Sequence, residues 1–396
     1  MNNSVHGVPP PSIYLDLPEQ VVSLNVTHRH ARNHAVLDTL SFKITSSELV
    51  HLPQVEQFLR ALPLVRSVEP YFELKPREPL SSEKHKERTV YYISNFLRAL
   101  SYTSCESLLL RERAQCYFPR CPGATNFQDP VDLRPLTTLK FLFVSMSLLF
   151  LPPFRDWMIQ SMNGSPLTTV VFMCLLPERK DWSQVLRRLE LPHLSQLVLG
   201  GTKLHFGTIR EFLSRHPNLE SLTLLENPKG MKCVLRDPTL LPRLGMLKCP
   251  PVTLYYFLGD PMVLPCLEEI TLDLPAWTIR THVRDWNEAI RVISRRKINL
   301  RLHLTLILGL EGHPFPPTAP TEVLGVVTDK VDCVTLDVRH SPALLNYVPT
   351  YLKLWLTALR NAPYVTIKGQ HSGYNSELRM YIYNAFSQIR RLDLLP

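Results

Sequence analysis

Apolar positions recur at a fixed interval through the middle of the chain. "LPHLSQLVLGG" (191–201) is followed by "HPNLESLTLLEN" (216–227), and Pro192/Pro217, Leu194/Leu219, Leu197/Leu222 and Leu199/Leu224 are each 25 residues apart. The shared phrase is L-x-x-L-x-L, with Pro two residues before the first Leu. It reads as an inward turn residue, then a short strand whose inward side chains stand at i and i+2. A fixed offset in this range marks a repeat architecture. Forward, Pro242, Leu244, Leu247 and Cys249 keep the offset of 25, and Pro265, Leu267, Ile270 and Leu272 follow at 23. Backward, "PLTTLKF" (135–141) and "PLTTVVF" (166–172) are 31 apart. Fainter copies occur at 36–42, 62–68, 104–110, 300–306, 331–338, 362–369 and 389–395, about thirteen units in all. Shared phase predicts that Leu197, Leu199, Leu222, Leu224, Leu247 and Ile270 are core residues on adjacent parallel strands.

Between these phrases the period lengthens to that of a helix. In "GTIREFLSRHP" (207–217), Thr208 is the expected N-cap with Glu211 completing a capping box. Ile209, Phe212 and Leu213 line one face there, and Pro217 stops the helix. Val185/Leu186/Leu189, Val283/Trp286/Ile290/Ile293 and Leu352/Trp355/Leu356/Leu359 follow the same spacing. Trp157, Trp182, Trp286 and Trp355 fall in such segments and read as filler between helix and sheet. Strand, turn, helix, proline, strand is the order of a parallel sheet with helices on its other side. Helices are wider than strands, so stacked units curve with the sheet inside. The expected fold is therefore an α/β horseshoe solenoid. Proline is abundant (35) and glycine scarce (14), which suits a rigid bend from each helix into the next strand. The expected organisation is an N-terminal extension over 1–35 and an irregular repeat solenoid over 36–396.

Composition narrows the function. With 396 residues, 45% hydrophobic and 20% charged, the chain can bury a large core. The net charge of +9 is spread thinly: the most charged stretch, 73–88, holds five Lys/Arg against four Glu. Without a basic run, nucleic acid is not an expected partner. The longest apolar stretch, 141–151, has 11 residues and ends in Pro152-Pro153, too short for a membrane span. The start "MNNSVHGVPPPS" is not a signal peptide. The eight Cys form no compact disulfide framework, and Cys174, Cys249, Cys266 and Cys333 sit in or beside apolar stretches as buried thiols do. A cytoplasmic or nuclear monomer is expected.

At 191–227, and most sharply in "FLSRHPNLESLTL" (212–224), the sequence resembles the leucine-rich-repeat region of mushroom-type fungal F-box proteins. The resemblance implies a ribonuclease-inhibitor-like horseshoe that recognises a protein partner. In complete members an N-terminal F-box docks a cullin ubiquitin ligase. Here only "LDLPEQVVSLNV" (15–26) is similar to the opening of an F-box, so docking of the ligase adaptor through the N-terminus is not expected. Regular leucine-rich repeats place Asn three residues after the last Leu. Asn227 fits, whereas Thr202, Val252 and Pro275 stand in the other copies, which marks an irregular subtype.

Candidate chemistry is sparse. Cys116 and Cys121 have a gap that suits half a zinc site, without a second pair at a suitable distance. His28, His30 and His34 lie close together, and on a helix His30 and His34 would share a face, but the H-E-x-x-H pattern is absent. No nucleophile elbow, phosphate loop or dinucleotide fingerprint occurs. The reading is non-enzymatic, with no cofactor or metal. What remains is a surface: the residues between inward positions point out onto the concave face. The outward set runs through Lys140, Val171, Val198, Thr223 and Asp393, and the candidate partner-binding residues are Lys248, Glu269, Thr271, Asp273, His303, Thr335, Asp337, Thr366 and Lys368. Its acidic members, with basic neighbours along the arc, would suit a basic partner.

Overall fold

Short stretches of alternating burial become strands, and each of the thirteen phrases contains one. The structure is a computed structural model. It describes residues 25–31, 34–45, 49–50, 52–61, 64–73, 83–112, 133–173, 179–201, 204–231, 235–260, 262–275, 288–289, 291–293, 295, 301–307, 331–337, 363–368, 380, 383–384, 387 and 389–395. Two compact units make up the chain: Met1–Leu204 with Thr208–His216, and His205–Gly207 with Pro217–Pro396.

The first unit opens with an antiparallel pair, β1 (Asn25–Ala31) and β2 (His34–Thr45). This pair straddles the sequence-based boundary at residue 35. It also puts His28 and His30 on a strand rather than a helix, with His30 facing Ala35 and Ala31 facing His34. From β2 onward every pairing in the unit is parallel: β3 (Val65–Glu73), β4 (Ser107–Glu112), β5 (Phe141–Val144), β6 (Thr169–Phe172) and β7 (Gln196–Leu199). Helices α1 (Leu52–Ala61), α2 (Glu83–Leu100), α3 (Arg155–Asn163) and α4 (Arg179–Arg188) connect them. The helices cover the inward face. Phe96 of α2 meets Phe42 of β2 and Phe72 of β3 edge-on, with centroids 5.7 and 6.1 Å apart. Trp182 of α4 packs on Phe172 of β6 and on Phe150 at 5.2 and 5.1 Å. Trp157 and Trp182 are both buried, as filler residues should be. Trp286 and Trp355 lie outside the described residues.

The inward residues form continuous rows. Leu108, Leu142, Val170 and Leu197 are register partners on β4–β7, none more than 1% exposed. Burying each such side chain contributes about 1.5–3 kcal/mol. The second unit repeats the scheme with β8 (Ser221–Leu224), β9 (Met246–Lys248), β10 (Glu269–Pro275), β11 (Arg301–Ile307), β12 (Val331–Asp337), β13 (Tyr364–Lys368) and β14 (Arg391–Leu395), all paired in parallel. Its inward row runs Leu222, Leu247, Ile270, Leu302. The six predicted core residues are all buried.

The helix expected to start at Thr208 starts earlier: α5 spans Phe206–Ser214. Its entry is set by His205, whose Nδ1 accepts the Gly207 N–H at 3.2 Å, while the Phe206 N–H bonds the Lys229 carbonyl at 2.8 Å. Thr208 is inside the helix, its hydroxyl 3.2 Å from that of Ser183. The capping-box spacing was present, but one turn earlier the His205 imidazole took the Gly207 amide and the Lys229 carbonyl that of Phe206. The same imidazole explains Gly230, which has φ +76° and whose Cβ would lie 2.0 Å from His205 Nε2. Helix α6 (Pro251–Leu258) starts with Pro at its first position and buries Leu254 and Phe257. Phe257 meets Phe206 edge-on at 5.8 Å.

In two of the second unit's repeats the backbone before the proline repeats as well. Leu241 and Leu264, each followed by Pro, have φ 58° and 57° and are buried. A left-handed leucine costs about 1–2 kcal/mol, so burial of the side chain must hold it there. His216, 25 residues before Leu241, occupies the corresponding position in its own repeat. It stacks on Phe212 with centroids 4.1 Å apart and accepts the Leu191 N–H on Nε2 at 3.1 Å. Its Nδ1 lies 2.7 Å from the Phe212 carbonyl, so the neutral ring protonated on Nδ1 satisfies both contacts. Arg215 beside it donates to the carbonyls of Leu186, Arg187 and Leu189 at 2.6, 3.1 and 3.0 Å, occupying the open C-terminus of α4.

Candidate functional site

The predicted partner-binding residues stand on the strands of the second unit. Parallel register sorts them into rows across the strands. Thr223, Lys248, Thr271 and His303 are successive partners, and their row continues to Cys333, Tyr364 and Arg391. Two residues further along, Asp273, Thr305, Thr335, Thr366 and Asp393 form the next row. Asp337 and Lys368 face one another in a third. Thr335 and Thr366 thus align with Asp273, not with Thr271 as their shared phase in the phrase suggested. A slide of two residues leaves every side chain on its own face, so the hydrophobic pattern does not resolve it. The register is irregular between Leu302 and His303, where Val331 and Cys333 are the consecutive partners and Asp332 is extra.

Asp332, which the sequence reading did not select, enters the site through this bulge. His303 stands between two carboxylates: Nδ1 is 3.7 Å from Glu269 Oε1 and Nε2 is 3.8 Å from Asp332 Oδ2. At these separations they are not hydrogen bonds. Arg301, the register partner of Glu269, brings its guanidinium within 3.9 Å of both Glu268 and Glu269. Glu269 is therefore not an open anionic site; its charge is already met by Arg301. Arg391 and Asp393 on β14 pair with each other at 3.0 Å.

Cys333 was expected to be buried and is half-buried on the outward face instead. Burial pushes its thiol up, and the charges of Asp332 and Asp393 add to that, against side-chain hydrogen bonds with Thr335 and Thr366. Those bonds gather the two predicted threonines around one thiol. Cys266 is exposed, another correction, because it falls in the turn before β10 where a short residue can face water. Cys249 is buried as expected. Cys174, Cys116 and Cys121 lie outside the described residues. Among the described residues no group of three or more His, Cys, Asp or Glu is placed to hold a metal ion. Asn227 uses its side-chain carbonyl to accept the Thr253 hydroxyl at 3.0 Å, which ties the turn after β8 to α6.

The first unit has an outward face of different chemistry; the sequence reading placed Val171 and Val198 outward but took none of this face as a partner site. Leu109, Phe143, Val171 and Val198 are successive register partners on β4–β7, all half-buried on the side away from the core. Phe141 stands in the neighbouring row, and Met173 just beyond β6 is 38% exposed. The Arg111 guanidinium lies over the Phe143 ring, 5.7 Å from its centroid. The signal was in the sequence: "LLL", "FLFV", "VVF" and "LVL" are unbroken apolar runs where a solvated sheet face would alternate.

Among known proteins, no family model and no curated protein matches this sequence. Among the described residues, no helix is long and apolar enough to cross a membrane.

Proposed function

We propose that the chain is a leucine-rich-repeat solenoid of the ribonuclease-inhibitor-like horseshoe type, acting as a non-enzymatic protein-interaction module. By its resemblance to the F-box/leucine-rich-repeat proteins, it serves as a substrate receptor of a cullin ubiquitin ligase or is a relative that has lost the F-box. The observation that carries this reading is the register of the strands. In each unit successive phrases align in parallel and present rows of outward side chains, a broad surface that suits recognition of a folded protein or an extended segment. Its working compartment in this reading is the cytoplasm or nucleus, and it acts as a monomer toward its partner.

A second reading is a scaffold or regulator outside ubiquitin chemistry. One observation favours it: Asn25–Ala31, where the end of an F-box would be helical, is a β-strand paired with β2. Two measurements separate these readings. Affinity purification with cross-linking identifies the partner, and a pull-down with the cullin adaptor reads the ligase arm. Stoichiometric adaptor recovery that disappears on deleting residues 1–35 supports the receptor. Recovery of partner without adaptor supports the scaffold. For a basic partner at the second unit, reversing Asp273 and Asp337 to Lys should weaken binding and slow association in a salt-sensitive way. Unchanged affinity with an intact fold removes that face from the site.

A further inference from the structure

The outward face of β4–β7 is built as a binding surface in its own right. Strands lie about 4.8 Å apart, so the row Leu109–Phe143–Val171–Val198 makes an apolar ridge about 14 Å long. None of it serves the core, because the inward partners Leu108, Leu142, Val170 and Leu197 occupy the opposite face. Phe141 and Met173 widen the ridge on its two sides. A contiguous apolar patch on a sheet that could have been polar costs solubility and marks an interaction site.

The charges around it define the occupant. Lys140 at one margin is matched by Glu106 at 2.9 Å, and Lys43 further out by Glu73 at 2.6 Å. At the β3 end the ridge stops at Glu69, the register partner of Ser41, whose carboxylate takes the Ser67 hydroxyl at 3.4 Å. Arg111 is the exception: it is exposed, held over Phe143, and pairs with no carboxylate of the described residues. A guanidinium stacked on an aromatic ring at the edge of an apolar ridge is pre-organised to take a carboxylate, and such Arg–aromatic pairs are enriched among residues that dominate interfaces. The net charge of +9 draws acidic partners in the same sense.

We propose that this face seats an acidic, apolar segment of a protein partner. Its aliphatic or aromatic side chains cover Phe143, Val171 and Val198, and its Asp or Glu pairs with Arg111. This rests on the interaction-module reading and names a site and partner chemistry within it. It also separates this site from the polar face of the second unit.

The test is selection of a random dodecapeptide display library on the immobilised full chain, followed by affinity measurements with the enriched peptides. The expected peptides combine apolar residues with Asp or Glu. Their affinity should fall at least about tenfold in Arg111→Glu and in Val171→Glu/Val198→Glu, and stay unchanged in Glu269→Lys. Arg111→Glu removes a solvated side chain, so its melting temperature should match the wild type and keep the test valid if the valine pair unfolds. Basic peptides, or peptides that bind Arg111→Glu as well as wild type, overturn the proposal. Concentration-dependent self-association abolished by the valine pair also overturns it, making a second copy the occupant. Peptides lost only in Glu269→Lys overturn the proposal and leave the interaction-module reading standing. No enriched peptide, together with no cross-linked partner, overturns both.

Discussion

The two units use one backbone scheme for opposite surfaces. On β4–β7 the outward row is Leu109, Phe143, Val171 and Val198; on β8–β11 the equivalent row is Thr223, Lys248, Thr271 and His303. The inward rows are interchangeable, aliphatic and almost fully buried in both. The core therefore sets the fold and leaves the outward positions free to carry chemistry. In the first unit they carry apolar area with one stacked guanidinium. In the second they carry polar and charged groups, with Arg301 beside Glu268 and Glu269 and His303 between Glu269 and Asp332. An apolar ridge gains free energy from being covered, whereas a charged face loses hydration when covered and suits selection more than affinity.

The sharpest way to break this comparison is to truncate one inward residue from each unit. Leu197→Ala and Leu222→Ala should each lose about 2–5 kcal/mol in chemical denaturation, as for other large-to-small core changes. The outward Val198→Ala should lose roughly 1 kcal/mol or less. Comparable losses from Leu197 and Val198 would show that the outward face of the first unit is part of a core.

Thiol labelling tests the same division by reactivity. Burial pushes the Cys105 thiol up to about 12, against backbone hydrogen bonds at Ser107 and Val68. Its native thiolate population should be about a thousandfold below that of a thiol at the ordinary value of 9.0, so it should alkylate far more slowly than exposed Cys266. Cys333 on the outward face should react at an intermediate rate. Peptide mapping of alkylated sites over time reads all three, and rapid native labelling of Cys105 would contradict its burial.

Next in size is the glycine facing His205. Gly230→Ala should cost about 1–2 kcal/mol for its left-handed backbone, plus the displacement of the His205 ring from the Gly207 amide. In a double-mutant cycle with His205→Ala, the steric part should disappear and the backbone part remain. Full recovery in the double variant would mean that φ at this turn is not a constraint.

A pH series probes the His216 contact in the first unit. Burial holds its imidazole below the ordinary value of 6.5, and the Arg215 charge adds to that, against the Phe212 carbonyl bond. The folded state therefore binds fewer protons than the unfolded state between the two values. Stability contributed by the neutral ring is present above pH 6.5 and lost as pH falls through the lower folded value. Its slope can reach at most about 1.4 kcal/mol per pH unit. His216→Leu, the residue at the matching position 25 further on, should flatten that part of the curve measured by denaturant titration; an unchanged slope assigns it to other groups. The smallest effect belongs to the exposed pair at the ridge margin, where Lys140→Ala should change stability by about 0–1 kcal/mol.

The positions of the strands were legible from the interval of 25 residues and the L-x-x-L-x-L phrase, because burial on one face imposes a period of two and stacking imposes the longer period. Leu197, Leu222, Leu247 and Ile270 could be read as one inward set for that reason. Helix starts were less legible: Thr208 had the spacing of a cap, but His205, brought in by the turn at Gly230, took the Gly207 amide first. Alignment of outward residues was legible only in part: shared phase put Thr223, Lys248 and Thr271 in one row and Thr335 with Thr366, but did not put Thr335 in line with Asp273. Thr335 stands in line with Asp273 through the β10–β11 and β11–β12 registers, and Asp332 enters beside His303 where β11 and β12 meet at a bulge. Sequence periodicity determined the inward rows and the places of β2–β14, but not β1 or the exposure of Cys266 and Cys333. The tertiary structure decided which outward residues become neighbours, because a parallel pair can slide by two residues without changing the face of any side chain, and only cross-strand packing and hydrogen bonding select among those registers.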